Sequence, residues 1–264
     1  MKKISFALTM LITIGLLAFR NSNETTVKPT LINVPAVYYK IYGATSITND
    51  GTFITIKSNG MPDHVSPYYA TSNSLYQEYS GTTPLGYTFV KNPNTIATQT
   101  FTFKIPLNPS VATNHATTRL GAIGVALNGV ALYNQYAGPN NQILTTEISS
   151  FDKYNGHPTA TSQYHYHVEP LYLTNRIASK NALIGFLLDG FPVYGPEETT
   201  GLLLTQHYSQ PINRVIVSSD LDVYHGHTHA TPEFPNGIYH YHFTADAPYL
   251  NGNGYYGTAG TVTQ

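Results

Sequence analysis

The chain has 264 residues, with 13 Lys and Arg against 14 Asp and Glu, a net charge of -1, and only 10% charged residues, where an average soluble domain has about 25%. It therefore has no basic footprint for phosphate-driven nucleic-acid binding. The absence of cysteine excludes disulfide staples, iron–sulfur clusters, blue copper and thiolate nucleophiles, and leaves nitrogen and oxygen chemistry in a chain with 11 His and 22 Tyr.

Lys2 and Lys3 precede an apolar run from Ile4 to Phe19, short for a membrane span of about 20 residues. Residues 1–20 read as a signal peptide, 21–33 as a flexible segment, 34–257 as one domain and 258–264 as a tail. The expected location is secreted or periplasmic, without membrane attachment after cleavage; the sequence specifies no protein partner. Beyond Val34 the pattern is mostly β: short β-branched and aromatic runs between Gly, Pro and Asn. Thr52 to Lys57 and Thr100 to Ile105 alternate as half-buried antiparallel strands. Ile143 to Ser150 and Glu197 to His207 are the expected short helices.

Three blocks recur in the same order. Gly124 to Tyr133 (GVALNGVALY) matches Gly185 to Tyr194 (GFLLDGFPVY), Asp152 to His157 (DKYNGH) matches Asp222 to His227 (DVYHGH), and YHYH occurs at Tyr164 and again at Tyr239. The offsets of 61, 70 and 75 residues read as a duplication with small insertions. Its halves span roughly 120–175 and 181–257, and the expected fold is an antiparallel sandwich or barrel-like structure with pseudo-two-fold symmetry.

Strand residues i and i+2 share a face about 6.6–6.8 Å apart. His165 therefore points with His167, and His240 with His242, while the interleaved tyrosines face the core. Two such imidazoles can ligate one ion, with a third ligand from a loop: His157 in the first half, His227 and His229 in the second. The Gly before His157 and before His227 would free the backbone to carry the imidazole over the strand. Asp152 and Asp222 could orient those imidazoles, ligate directly, or close Asx turns. His64 could reach the site from the amino-terminal strands, whereas His115 and His207 read as surface residues.

These residues resemble the YHYH-domain family, through SNGMPDH at Ser58 to His64, IGVALNGVALYN at Ile123 to Asn134, LDGFPVYGP at Leu188 to Pro196 and LDVYHGHTHATPEFPNGIYHYH at Leu221 to His242. The resemblance implies a secreted bacterial protein. That family often has Cys where this chain has Tyr154 and Tyr224, so no thiol is needed here, and its name records a motif rather than a reaction.

Three functions remain open: an extracytoplasmic transition-metal-binding protein, a secreted metal-dependent hydrolase or oxidase, and a structural β protein without metal. Thiol-free ligation favours Zn or Cu, with Fe or Mn if a carboxylate joins. Binding leads, because Glu233 and Asp189 are the only further acid/base candidates and no nucleophile elbow or His-Glu-x-x-His helix is present. Two ions are expected, unless the His-x-His strands share one. The second half should bind more tightly and carry any turnover, having His225, His229 and Asp189 where the first has Asn155, Thr159 and Asn128. With the unperturbed imidazole pKa of about 6.5, affinity should fall between about pH 7 and pH 5.

Overall fold

A computed structural model describes residues 32–177, 179–199 and 213–264. The expected signal peptide, residues 21–31 of the expected flexible segment and His207 lie outside these. In chain order the strands are β1 (Ala44–Asn49), β2 (Phe53–Ser58), β3 (Phe101–Pro106), β4 (Ala122–Ala126), β5 (Ala131–Tyr133), β6 (Tyr136–Ala137), β7 (Gln142–Ile143), β8 (Gly156–Pro158) and β9 (Tyr164–Tyr166). Helix α1 (Leu171–Ile177) separates these from β10 (Leu183–Leu187), β11 (Pro192–Tyr194), β12 (Glu197–Thr199), β13 (Asn213–Val215), β14 (Gly226–His229), β15 (Ile238–His242) and β16 (Thr261–Thr263).

The two alternating segments become β2 and β3, an antiparallel pair. Ile54 and Ile56 of β2 and Phe101, Phe103 and Ile105 of β3 are buried, so the period of two fixes which face is inward. With β1 and β16 they form a four-stranded sheet, β1-β2-β3-β16. The second sheet has eight strands in the order β14-β15-β11-β10-β4-β5-β9-β8. The repeated blocks mirror one another across its central β4–β10 pair, where Val125 lies opposite its block equivalent Phe186. Tight turns build the two central hairpins: Gly129 and Gly190 have φ of 81° and 85°, a region that favours glycine. The amino-terminal sheet packs on these turns, with the Ser58 hydroxyl donating to Gly129 O at 2.6 Å. Ile54, Phe101 and Phe103 share one buried core with Tyr164, Tyr166, Tyr239 and Tyr241.

The arrangement is mostly β and sandwich-like. The large sheet is open, with β14 and β8 at its margins, which removes the barrel-like alternative. Residues 258–264 are not a tail, because β16 pairs with β3. Ile143–Ser150 forms two 3-10 turns, Leu144–Thr146 and Ile148–Ser150. Glu197 opens a strand rather than a helix, and residues 200–207 of that expected helix lie outside the described residues. Among the described residues no helix is long and apolar enough to cross a membrane.

Candidate metal centres

Each His-x-His strand pairs with the strand carrying Gly-His, and the register sets imidazole against imidazole: His157 opposite His165, His227 opposite His240. The third imidazole thus comes from an adjacent strand rather than a loop. The glycines have a different reason from the expected one. Gly156 and Gly226 do not occupy the left-handed region; the residues before them do, Asn155 at φ 65° and His225 at φ 72°. A Cβ on Gly156 would lie 2.3 Å from the Tyr164 ring, and one on Gly226 2.5 Å from the Tyr239 ring. The first tyrosine of each YHYH occupies that space.

In the first centre, His157 Nε2 lies 3.1 Å from His165 Nε2, which lies 3.0 Å from His167 Nε2. Glu147 Oε2 is 3.3 Å from His157 Nε2 and 3.7 Å from His167 Nε2. The far sides of the rings are fixed. His165 Nδ1 donates to Gln163 O at 3.2 Å and His167 Nδ1 to Asn134 O at 2.6 Å, while His157 Nδ1 meets Ser150 Oγ at 2.6 Å. A neutral ring whose Nδ1 holds the proton has a bare lone pair at Nε2, so His165 and His167 aim lone pairs at each other. Burial pushes both imidazoles down, helped by the charge of His157, His167 to about 4. Burial pushes the Glu147 carboxyl up, but its hydrogen bond to His157 and the His157 and His167 charges outweigh that and hold it below the usual range.

The second centre repeats this shell. His240 Nδ1 donates to Ile238 O at 2.9 Å and His242 Nδ1 to Gly195 O at 2.8 Å, and His227 Nε2 lies 3.1 Å from His242 Nε2. Burial lowers His240 to about 2 and His242 to about 3. His229 Nδ1 donates to Ala230 O at 2.8 Å, leaving Nε2 beside Glu198 Oε1 at 2.5 Å. In each group, His227, His229, His240 and His242 or Glu147, His157, His165 and His167, the ligand atoms all lie within 4.8 Å of one another. Either group could hold a metal ion: nitrogens about 2.0–2.1 Å from one ion stand about 2.9 Å apart at a right angle and about 3.4 Å at the tetrahedral angle. All four residues of the first group line a cavity of about 690 Å³, and His229, His240 and His242 of the second line one of about 390 Å³.

The sequence does not mark these two carboxylates, since Glu147 and Glu198 both sit in segments expected to be short helices, apart from the His-x-His strands. The carboxylates that were singled out serve the fold. Asp152 Oδ1 accepts from Tyr154 N–H at 2.9 Å and Asp222 Oδ1 from Tyr224 N–H at 2.9 Å. Each also accepts from the first YHYH tyrosine, Tyr164 or Tyr239, at 2.9 Å. They close Asx turns and anchor tyrosines; the Nδ1 partners of the cluster imidazoles are backbone carbonyls and, at His157, Ser150 Oγ and Asn92 Nδ2. Asp189, fully buried, accepts from the Tyr241 hydroxyl at 2.6 Å and Gly257 N–H at 2.9 Å, on the tyrosine face and outside both cavities. Glu233 is held by Lys40 Nζ at 2.6 Å and the Tyr194 hydroxyl at 2.8 Å, one tyrosine away from the second cavity. His64 accepts from Tyr166 at 3.0 Å on the tyrosine face, His225 meets Thr244 Oγ1 at 2.9 Å, and His115 Nδ1 donates to Tyr255 O at 2.9 Å. None of these three joins a cluster.

Fold and site together define a mostly β protein, built on a four-stranded and an eight-stranded sheet with two small two-stranded ones, β6-β7 and β12-β13, and with strand-borne histidine clusters at both margins of the largest sheet. The YHYH protein family model matches residues 102–202 and 196–254, more than half the chain, and the chain belongs to that family. No curated protein and no solved structure matches it.

Proposed function

We propose that the protein is an extracytoplasmic transition-metal-binding protein with two centres: His157, His165 and His167 with Glu147, and His227, His229, His240 and His242. The observation that carries this reading is the His165–His167 pair. Both Nδ1 protons are committed to carbonyls, so two buried Nε2 lone pairs face each other at 3.0 Å with no proton between them. A metal-free structural role would leave that repulsion unrelieved, whereas a cation between the rings turns it into ligation. Four imidazoles suit Zn or Cu; the carboxylate at the first centre widens its range to Fe or Mn. The lysines and apolar run of residues 1–20 support export, and the matching blocks support an origin by duplication.

The test is metal content. The untagged chain from residue 21, offered Zn, Cu, Fe and Mn in turn, should retain about two ions by mass spectrometry. His165→Ala/His167→Ala and His240→Ala/His242→Ala should each lose one. Trace metal in the parent protein would overturn the reading, and loss of both ions from either double variant would replace two sites with one. A metal-dependent enzyme is the second reading, favoured by the cavity over each cluster, and turnover that vanishes with the metal would establish it.

A further inference from the structure

The two centres differ at one corner. The β14–β15 ladder puts His229 opposite Ile238, and this adds a fourth imidazole to the second cluster. At the matching place in the first, Thr159 N–H donates to Gln163 O at 2.9 Å, so the ladder runs on in the same register with Thr159 where His229 stands. The Thr159 hydroxyl is engaged in its own turn. Its Oγ1 accepts from Thr161 N–H and Gln163 N–H, both at 3.2 Å, and meets Thr161 Oγ1 at 2.9 Å. That corner of the first cluster therefore lacks a protein donor and faces the larger cavity, which Thr159 itself lines.

The remaining donors sharpen the contrast. Glu147 contacts two of the three imidazoles and comes from between two 3-10 turns, with its side chain 27% exposed. His229 is held on β14 through its Nδ1, with the Glu198 carboxylate against its other nitrogen. The second centre thus gathers four imidazoles and an adjoining carboxylate, and the first three imidazoles and a carboxylate. Fully protein-ligated sites are structural, whereas sites that bind substrate keep a position open. The wall of the first cavity also includes the cation Lys91, which favours an anion there.

Resting on the metal-binding reading, we infer that the first centre, and not the second, keeps an exchangeable coordination position, which a small anion with an oxygen or nitrogen donor enters from the cavity beside Thr159. This reverses the sequence expectation that the second half carries the chemistry. The test loads the chain from residue 21 with Co(II), measures metal content, and titrates azide while following the visible cobalt spectrum. With two cobalt ions bound, one of the two should respond to azide. Thr159→His, which supplies the missing imidazole at a half-buried position, should bring the count of responsive ions to none. His229→Thr, which removes its counterpart, should raise it to two. Both or neither ion responding in the parent protein, or an unchanged count in Thr159→His, would overturn the inference with metal binding intact. Failure to retain cobalt would overturn the metal reading and this inference with it.

Discussion

Asp189 and five of the cluster histidines, His157, His165, His167, His240 and His242, are buried ionisable residues, yet their surroundings give them opposite roles. The Asp189 carboxylate accepts from Tyr241 and Gly257 at Oδ2 and from Phe191 N–H at Oδ1. Asp189→Ala should leave three buried donors, Tyr241 O–H, Gly257 N–H and Phe191 N–H, without their acceptor, at a cost of about 1–3 kcal/mol each, without changing metal content. Urea unfolding alongside metal analysis checks this, and metal loss at unchanged stability would put Asp189 back into the site. The histidines make stability depend on pH. Burial holds His64, His165, His167, His225, His240 and His242 below the ordinary imidazole value. In the unfolded chain they protonate near pH 6.5, and in the folded chain at about 4 or lower for His167, His225, His240 and His242. Their contribution is fully present above pH 6.5 and is lost as pH falls towards the folded values. Asp189, raised to about 6 by burial, and Glu169, also raised by burial, act in the opposite sense, but as two groups against these six and His227, which burial also lowers. Denaturant midpoints of the metal-free protein should fall steadily from pH 7 to pH 4.5, and constant midpoints would contradict these assignments. Proton competition at His167, His240 and His242 should accordingly set in at lower pH than an unperturbed imidazole would give.

At the level of elements, β16 belongs to the fold although its sequence reads as a tail. It pairs with β3 through three residues, Thr261 to Thr263, and a Cβ on Gly260 would lie 1.9 Å from Lys104 O, so the chain enters that pairing under close constraint. Deleting residues 258–264 should expose the edge of β3 and lower the thermal midpoint by several degrees while both metal ions stay bound; an unchanged midpoint would restore the tail reading. What the sequence disclosed about elements follows from periodicity. The alternation at Phe53 to Lys57 and the His-x-His pairs each specify a face, and a face is what a period of two encodes. Glu147 and Glu198 were illegible because neither reaches the imidazoles through strand period: Glu147 comes from between two 3-10 turns and Glu198 from the β12–β13 hairpin. Asp152 and Asp222 misled because an aspartate five residues before a ligand fits an Asx turn as well as an outer hydrogen bond to that ligand. For the glycines at 156 and 226, the block pattern marked the positions, but the tyrosine ring that requires them comes from the neighbouring strand.

For the molecule as a whole, the strand order keeps the two centres apart. Between β9 and β15 lie β5, β4, β10 and β11; five strand spacings of about 4.8 Å separate them by about 24 Å, too far for one ion to serve both. The amino-terminal strands do not reach the imidazole face, since they pack with the tyrosines in the shared core. The loop between β2 and β3 does reach the first centre, where Asn92 and Asn94 donate to Pro158 O at 3.2 and 3.1 Å and help wall the larger cavity. The central claim is that both histidine clusters hold transition metals, and anomalous diffraction from crystals of the untagged, metal-loaded protein tests it most directly. The account predicts two anomalous peaks at the absorption edge of the added metal, one among the Nε2 atoms of His157, His165 and His167 and one among those of His227, His229, His240 and His242. A map with no peak at either cluster, from protein offered Zn, Cu, Fe and Mn, would contradict it.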